Sequence, residues 1–582
     1  MMLNAKGRPL ISAVLMLTLS GMTTSCIDNS YDLKKDIDAT INVGGEYLAF
    51  PVGSTEQITL DKIIEIDEGD DLQLVDGEYR LLKEGTVDDA KTDVKKVTVK
   101  GRDNQINEIT AANEHSALYD GVIETDIDEK GDIDADADNI DDAVKEIGSL
   151  KAGSPTDLIL KLTLKGNLNY ESIQTELKVT FPNFLEFAPD NKLKDNVLTL
   201  TLDNGDLPLN RTYEYPLKLT GFHFSSEPGK GRKVKNNQLT IHDQVTITGK
   251  AFVTVDGDIL AGTSLTIVPV VTLADMEVQS VTGIIQPTID ETGSNISLNN
   301  LPDFLKDDAV ELDITNPVFT FIAENPLDAP IVLNGEMYGS KDGKKIEGST
   351  VVIGENSTDK NPIILKPNST TIISLSRLGS GGPEGAENIE VSDINNLIKK
   401  IPDVVDVKLQ PAVTYDEYYT VELGKTYSMS SSYDIDIPLS FGSKLKIVYK
   451  DSINDLHSDL EDIDFKKAVI AIKADNTIPL ELEVKEGNVT AKDMSGAKID
   501  AIKVTVDGTI KESKDGKEVA PSQLSITLEE TQKGAIRNLE ELVFKVTAVP
   551  GQAINVQLRG DQWMQLKDMK LRVPNGIKID LN

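Results

Sequence analysis

Two groups of side chains in this 582-residue chain are of a type and spacing that could do chemistry. Cys26 is the only cysteine. With no second thiol to oxidise it, it is available as a nucleophile or as the acceptor of an acyl group. The second group is the run from Asp120 to Asp142, which holds eleven acids and one lysine. If Asp126 is the first ligand of a calcium loop, Asp128 falls third, Gly131 sixth, Asp132 seventh and Asp134 ninth, all places where oxygen donors gather round a turn. Lys130 at the fifth place and Ala137 at the twelfth, where a bidentate Glu is expected, break the pattern. Asp126, Asp128, Asp132 and Asp134 are therefore weak calcium candidates, and the segment reads as a solvated tether, extended and mobile because like charges repel.

Nothing else gathers into a catalytic set. The four histidines, His115, His223, His242 and His457, are too far apart in sequence for a shared metal, and structural zinc needs thiols that the chain lacks. His223 and His242 flank the basic hairpin Pro228-Gly229-Lys230-Gly231-Arg232-Lys233, where cross-strand surface positions are the plainer reading. There is no Gly-x-Ser-x-Gly elbow, no His-Glu-x-x-His pair and no phosphate loop; Gly379 to Gly385 reads as a connection. No cofactor is expected and the chain is read as a non-enzyme. Sugar rings stack on Trp or Tyr, yet Trp563 is the only tryptophan and aromatics make up 5%. Trp563 alternates with Met564 and Leu566 and is read as core. The Arg559-Gly560-Asp561 tripeptide just before it is read as a hairpin rim.

Residues 1–25 have the form of a secretory signal: basic Lys6 and Arg8, an apolar run from Leu10 to Met22, and small residues before Cys26. That run is shorter than the ~20 residues that cross a bilayer. A cysteine at this junction resembles the acylated cysteine of bacterial lipoproteins, although Thr23 stands where they carry an aliphatic residue; an ordinary signal peptide cut nearby is the alternative. The following Ile27-Asp28-Asn29-Ser30-Tyr31-Asp32-Leu33-Lys34-Lys35-Asp36-Ile37-Asp38 resembles the opening of Bacteroidetes surface lipoproteins. That resemblance implies an outer-membrane lipid anchor and display at the cell surface, acidic residues after the cysteine serving there as the export signal.

The elements that must position these residues are strands. Leu158, Leu160, Leu162 and Leu164 alternate with polar residues, as do Leu177, Val179 and Phe181, Leu198, Leu200 and Leu202, and Ile502, Val504 and Val506. Asp-Gly occurs at Asp76, Asp120, Asp256, Asp342, Asp507 and Asp515, as two-residue hairpin turns require. Helical signals are few: a turn or two after Ser392 up to Pro402, and more weakly Ile453 to Phe465. Val318 to Ile331 matches Val469 to Leu480, and each copy is followed by a Ser-Lys-Asp-Gly-Lys hairpin, at Ser340 and Ser513. Two related β-sandwiches explain this. The strand, Asn-Pro-Leu, strand phrase resembles the late-embryogenesis-abundant type of sandwich, which implies that Asn-Pro is a turn re-aiming an edge strand.

Length and 39% hydrophobic residues allow three or four cores. The expected fold is all-β: a signal peptide 1–25, an acidic tether with a small N-terminal β region 26–155, and sandwiches, Ig-like or late-embryogenesis-like, at 156–275, 276–440 (with a short helical insert) and 441–582. Residues 61–150 carry 27 acids against 10 bases. A net charge of −37, or −39 without the leader, excludes nucleic acid as a partner and leaves any lipid to hold the chain at a membrane. The expectation is a non-enzymatic envelope lipoprotein acting in binding or structural assembly through a protein partner, with a glycan-binding component of a carbohydrate-uptake system as the alternative. Exposed aromatic clusters would favour the glycan; aliphatic, aromatic-poor edges would favour assembly.

Overall fold

The computed structural model describes residues 41–579 apart from 44–48, 65, 113–120, 256–261, 299–300, 303–304, 306–308, 414, 462 and 486. Cys26, His115, Asp120 and Asp256 lie outside the described residues. Strands make up 58% of the chain and helix 3%, an all-β architecture of tandem sandwiches. The helical signals become single turns, a 3-10 helix at Ile394–Leu397 and an α-turn at His457–Leu460. Asp76-Gly77 and Asp342-Gly343 turn hairpins with φ of 51° and 80°, and 51° and 71°, both residues left-handed as a type I′ turn demands.

The first sandwich is one fifteen-stranded sheet built round the strand Val144–Gly166. Its first part pairs with Met276–Ile285 and its second with Ser264–Leu273, the register slipping between Lys151 and Ala152. Gly153 and Pro155 mark this break, since neither supports a straight ladder. A domain boundary at 155 would cut this strand in two. Leu158, Leu160, Leu162 and Leu164 are all fully buried, as are Leu177, Val179, Leu198 and Leu200.

The acidic segment is not a mobile tether. Gly121–Ala137 is a seventeen-residue strand paired along its length with Leu239–Val255, from Gly121 opposite Val255 to Ala137 opposite Leu239. Counting carboxylates hides the period-two pattern beneath them: Ile127, Ile133, Ala135 and Ala137 face the core at 4% exposure or less, and the aspartates take the other face. Gly131 serves close packing rather than a calcium turn, because a Cβ there would stand 2.5 Å from the Ile106 Cα.

The second and third sandwiches repeat one plan. In the second, Val318–Asn325 lies between Ser369–Ser376 and Thr426–Pro438, and the facing sheet holds Thr292–Ser297, Val404–Ala412 and Ile331–Lys341. In the third, Lys467–Asn476 lies between Ala520–Glu530 and Trp563–Arg572, and the facing sheet holds Ile447–Ile453, Glu541–Val549 and Glu481–Glu483. A 3-10 turn precedes the same strand in each, at Ile394–Leu397 and at Ala535–Asn538. The matched Asn ends a central strand, not an edge strand, and carries the chain to the opposite sheet. Asn325 Nδ2 donates to the carbonyls of Ala329 (2.8 Å), Leu365 (3.3 Å) and Lys366 (3.1 Å), while its Oδ1 accepts from Leu327 N (3.0 Å). Asn476 Nδ2 donates to Ile478 (3.1 Å), Leu480 (3.2 Å) and Lys511 (2.8 Å), and its Oδ1 accepts from Ile478 N (2.9 Å). Both side chains are fully buried. The role lies in the amide, which is why Thr477 can replace Pro326.

Residues 41–112 form no separate unit. Ala49–Gly53 and Ile58–Thr59 pair with Trp563–Arg572 in the third sandwich. Glu78–Asp93 pairs with Thr426–Pro438 in the second, and Val97–Lys100, Asp103–Gln105 and Ile109–Ala112 join the first. We predict that Asn476→Ala, which strands three buried carbonyls and one N–H, costs about 2 to 4 kcal/mol in urea denaturation followed in the third sandwich; a loss below about 1 kcal/mol would show that the amide is replaceable.

Candidate functional site

The four calcium candidates sit side by side on the exposed face of the Gly121–Ala137 strand, each opposite a residue of Leu239–Val255. Asp126 faces Lys250, whose Nζ lies 3.4 Å away and also pairs with Glu124; Asp134 faces His242, with Nδ1 2.6 Å from Oδ1. Asp128 faces Thr248 and Asp132 faces Gln244, while the neighbouring Asp136 pairs with Arg102. A row along a strand cannot fold six to eight oxygens round one ion. Among the described residues, no group of three or more acids, histidines or thiols is gathered as for a metal. The arrangement is a cross-strand charge ladder in which cations from the neighbouring strands lower the repulsion.

The hydrogen bond that His242 donates to Asp134 raises the His242 pKa above its ordinary value; desolvation opposes this, and the charges of Asp134, Asp132 and Asp243 add to it. A raised folded-state pKa stabilises below the unfolded pKa and is lost as pH rises through the folded one. His223 does not meet His242. It pairs opposite Ser149 on a different strand, 3.2 Å from Ser226 Oγ. The basic hairpin between them is held by Glu146, 3% exposed, whose Oε1 accepts from Gly231 N (2.8 Å) and from Tyr418 Oη (2.5 Å).

Trp563 corrects the core expectation. It stands half-buried on the outer face with Gln565 and Lys567, while Met564 and Leu566 point inward, at 1% and 3% exposure. The alternation that suggested core placement is what puts Trp563 on the other side. In Arg559-Gly560-Asp561 the first two residues are pinned, Arg559 Nη1 contacting Glu78 at 3.2 Å and Gly560 N donating to Gly77 O at 3.0 Å, while the Asp561 side chain is exposed.

Two cavities escape the sequence patterns. One, of ≈ 130 Å³, lies where the second sandwich leads into the third and is lined by Asp313, Arg377, Asp393, Lys399 and Lys444 among others. Its polar groups largely satisfy one another: Arg377 Nη1 donates to Asp313 Oδ1 (2.8 Å) and Lys444 N to Asp313 Oδ2 (2.9 Å). Asp393 Oδ1 is buried without a hydrogen-bond partner, and burial, together with the Asp359 charge, raises that carboxyl above its usual range. The other cavity, of ≈ 50 Å³, opens between the sheets of the third sandwich and is lined by Leu482, Val489, Val506, Leu524 and Phe544 with further aliphatic residues. A void of that size costs about 1 kcal/mol in lost contacts. No sequence pattern marks it; in the structure the strand after Asn476 has three residues where its counterpart has eleven.

No described helix is long and apolar enough to cross a membrane. No protein-family model and no curated protein matches the chain. Among solved structures, a secreted protein of Parabacteroides distasonis is similar at 14% identity and a TM-score of 0.35, over 49% of this chain and 82% of that one. A capsid structure of infectious bursal disease virus, Gx strain, is similar at 10% identity and a TM-score of 0.12, over 81% of this chain and 82% of that one. At these scores neither likeness informs function.

Two outcomes follow from the strand face. Calorimetry with calcium is expected to show only weak, salt-sensitive association, with no saturable affinity tighter than about 100 μM. In an NMR titration, His242 should titrate above the ordinary histidine value and fall toward it in Asp134→Asn; an unchanged midpoint would remove the pairing from solution.

Proposed function

We propose that this protein is a non-enzymatic lipoprotein of a bacterial cell envelope, held by an acylated Cys26, displayed at the cell surface and acting in protein binding or structural assembly. The observation that carries the assembly reading is the character of the exposed apolar surface. Among the described residues, the large hydrophobic side chains left exposed are aliphatic, such as Leu74, Val122, Leu378, Met494, Val519 and Ile554. A glycan-uptake component would need exposed rings to stack on sugars, and the described rings nearest the surface, Trp563, Tyr215 and Tyr338 among them, are half-buried.

The residues that looked chemical support the same reading, because the described ones sit in cross-strand pairs. Asp126 pairs with Lys250, Asp134 with His242 and Arg559 with Glu78, each as an ion pair across neighbouring strands. The path of the chain bears on how it would stand on a membrane. Ile41–Val43 pairs with Ile577–Ile579 and Ala49–Gly53 with Trp563–Arg572, so the chain joins the third sandwich first and reaches the first one last. The 15 residues from Cys26 to Ile41 span at most about 50 Å. An acylated Cys26 would therefore hold the third sandwich near the bilayer and leave the acidic strand face of the first one farther along the chain.

Several acyl chains bind membranes firmly where one binds marginally. Cys26→Ser should move the protein from the membrane to the soluble fraction, and the mature wild-type mass should exceed that of the polypeptide by its acyl groups. Retention of the variant in the membrane, or a wild-type mass without acyl groups, would sink the anchoring half of the proposal.

A further inference from the structure

We infer that Asn575 is a site of spontaneous modification, where the carboxamide is lost and aspartate or isoaspartate forms in the turn that leads into the last strand, Ile577–Ile579. This goes beyond the assembly reading and does not rest on it, since the reaction needs only the polypeptide and water.

The sequence offers the chemistry in three places, because Asn-Gly occurs at Asn204, Asn334 and Asn575. In such a step the glycine amide nitrogen can attack the asparagine Cγ, as no Cβ follows to block the approach. The reaction needs a carboxamide that turns freely and a main chain that bends to meet it. The fold restricts both at two of the three sites.

At Asn204, Oδ1 accepts from Ile173 N (2.5 Å) and Nδ2 donates to Glu171 O (3.0 Å), while Gly205 N donates to Asp203 Oδ1 (2.7 Å). At Asn334, Oδ1 accepts from Glu355 N (2.9 Å), and Gly335 lies inside a sheet, opposite Ile353 on one side and Leu409 on the other. A Cβ on Gly335 would stand 2.4 Å from Lys408 O, so the main chain there is closely packed as well as paired.

Asn575 differs. It is exposed, and its carboxamide makes no hydrogen bond among the described residues. Gly576 N donates to Val573 O (3.0 Å), a bond between near neighbours in one turn that opens without disturbing a sheet. The strand that follows is lightly held too: Ile577–Ile579 pairs with Ile41–Val43 over three residues and with Ile463–Asp464 over two.

Ring closure joins Gly576 N to Asn575 Cγ and breaks the bond from Cγ to the side-chain nitrogen, which leaves as ammonia with the amide proton. Water then opens the cyclic imide. Attack at Cγ gives aspartate, and attack at the main-chain carbonyl gives isoaspartate, in which the chain runs through Cγ and is one carbon longer. That longer turn displaces Ile577–Ile579 from its register with Ile41–Val43.

Trypsin cuts after Arg572 and Lys578, so Val573 to Lys578 is released as one peptide and read by mass spectrometry. The full chain is held at mildly alkaline pH, folded or in urea, and conversion at the three steps is followed with time. Asn575 is expected to convert several-fold faster than Asn204 and Asn334 in the folded protein, and the three rates to converge in urea. Asn575→Gln, whose larger ring closes slowly, should stay unconverted. A rate at Asn575 no greater than at the other two in the folded protein overturns the inference. Hydrogen exchange reads the strand: Ile577–Ile579 should exchange faster in converted protein than in Asn575→Gln, and equal exchange overturns its displacement.

Discussion

The backbone of a β-strand must find partners for its N–H and C=O groups, and this requirement shapes the molecule more than any side chain does. It explains the course of the N-terminal residues. Ala49–Gly53, Glu78–Asp93 and Val97–Lys100 each extend a different sandwich, so one stretch of chain protects edges in all three. The sandwiches are tied to one another by that stretch as well as by their own connections.

Where backbone groups cannot join a ladder, buried amides take over. Asn325 and Asn476 stand where the chain leaves one sheet for the other, a place where peptide groups would be buried without partners. One carboxamide answers three carbonyls and one N–H in each case. Asp313 acts similarly between the second and third sandwiches, accepting from Arg377 and from Lys444 N while its own carbonyl accepts from Gly442 N at 2.6 Å. Buried polar groups of this kind fix geometry because leaving any of them unpaired costs more than the bond itself contributes.

The same logic separates the charged surface from function. On Gly121–Ala137 a dense row of aspartates is tolerated because Lys250, His242 and Arg102 stand beside it, and because the opposite face buries Ile127 and Ile133. Exposed pairs of this type contribute little stability each. Their effect is to let an acidic strand remain a strand. The third sandwich shows the converse: the lining of its gap is almost wholly hydrocarbon, so no charge there needs a partner.

Sequence alone determined most of the strands and turns of the molecule, though not the acidic strand, and its internal repeat. Alternation at Leu158 to Leu164, Asp-Gly at Asp76 and Asp342, and the matched phrases ending at Asn325 and Asn476 are local signals, set by side-chain period and by turn conformations that few residues adopt. It also singled out Cys26, which lies outside the described residues. The pairing of strands was decided only in three dimensions. That residues 41–112 serve three sandwiches, that Val144–Gly166 is continuous through a break at Gly153 and Pro155, and that the acidic run is a paired strand all depend on partners more than 100 and, for Ala49 and Arg572, more than 500 residues away. Hydrogen-bond partners so distant leave no mark in a local window. The same holds for Trp563, whose alternation fixed that it faces away from Met564 but not which of the two faces is buried, since that depends on where the second sheet lies.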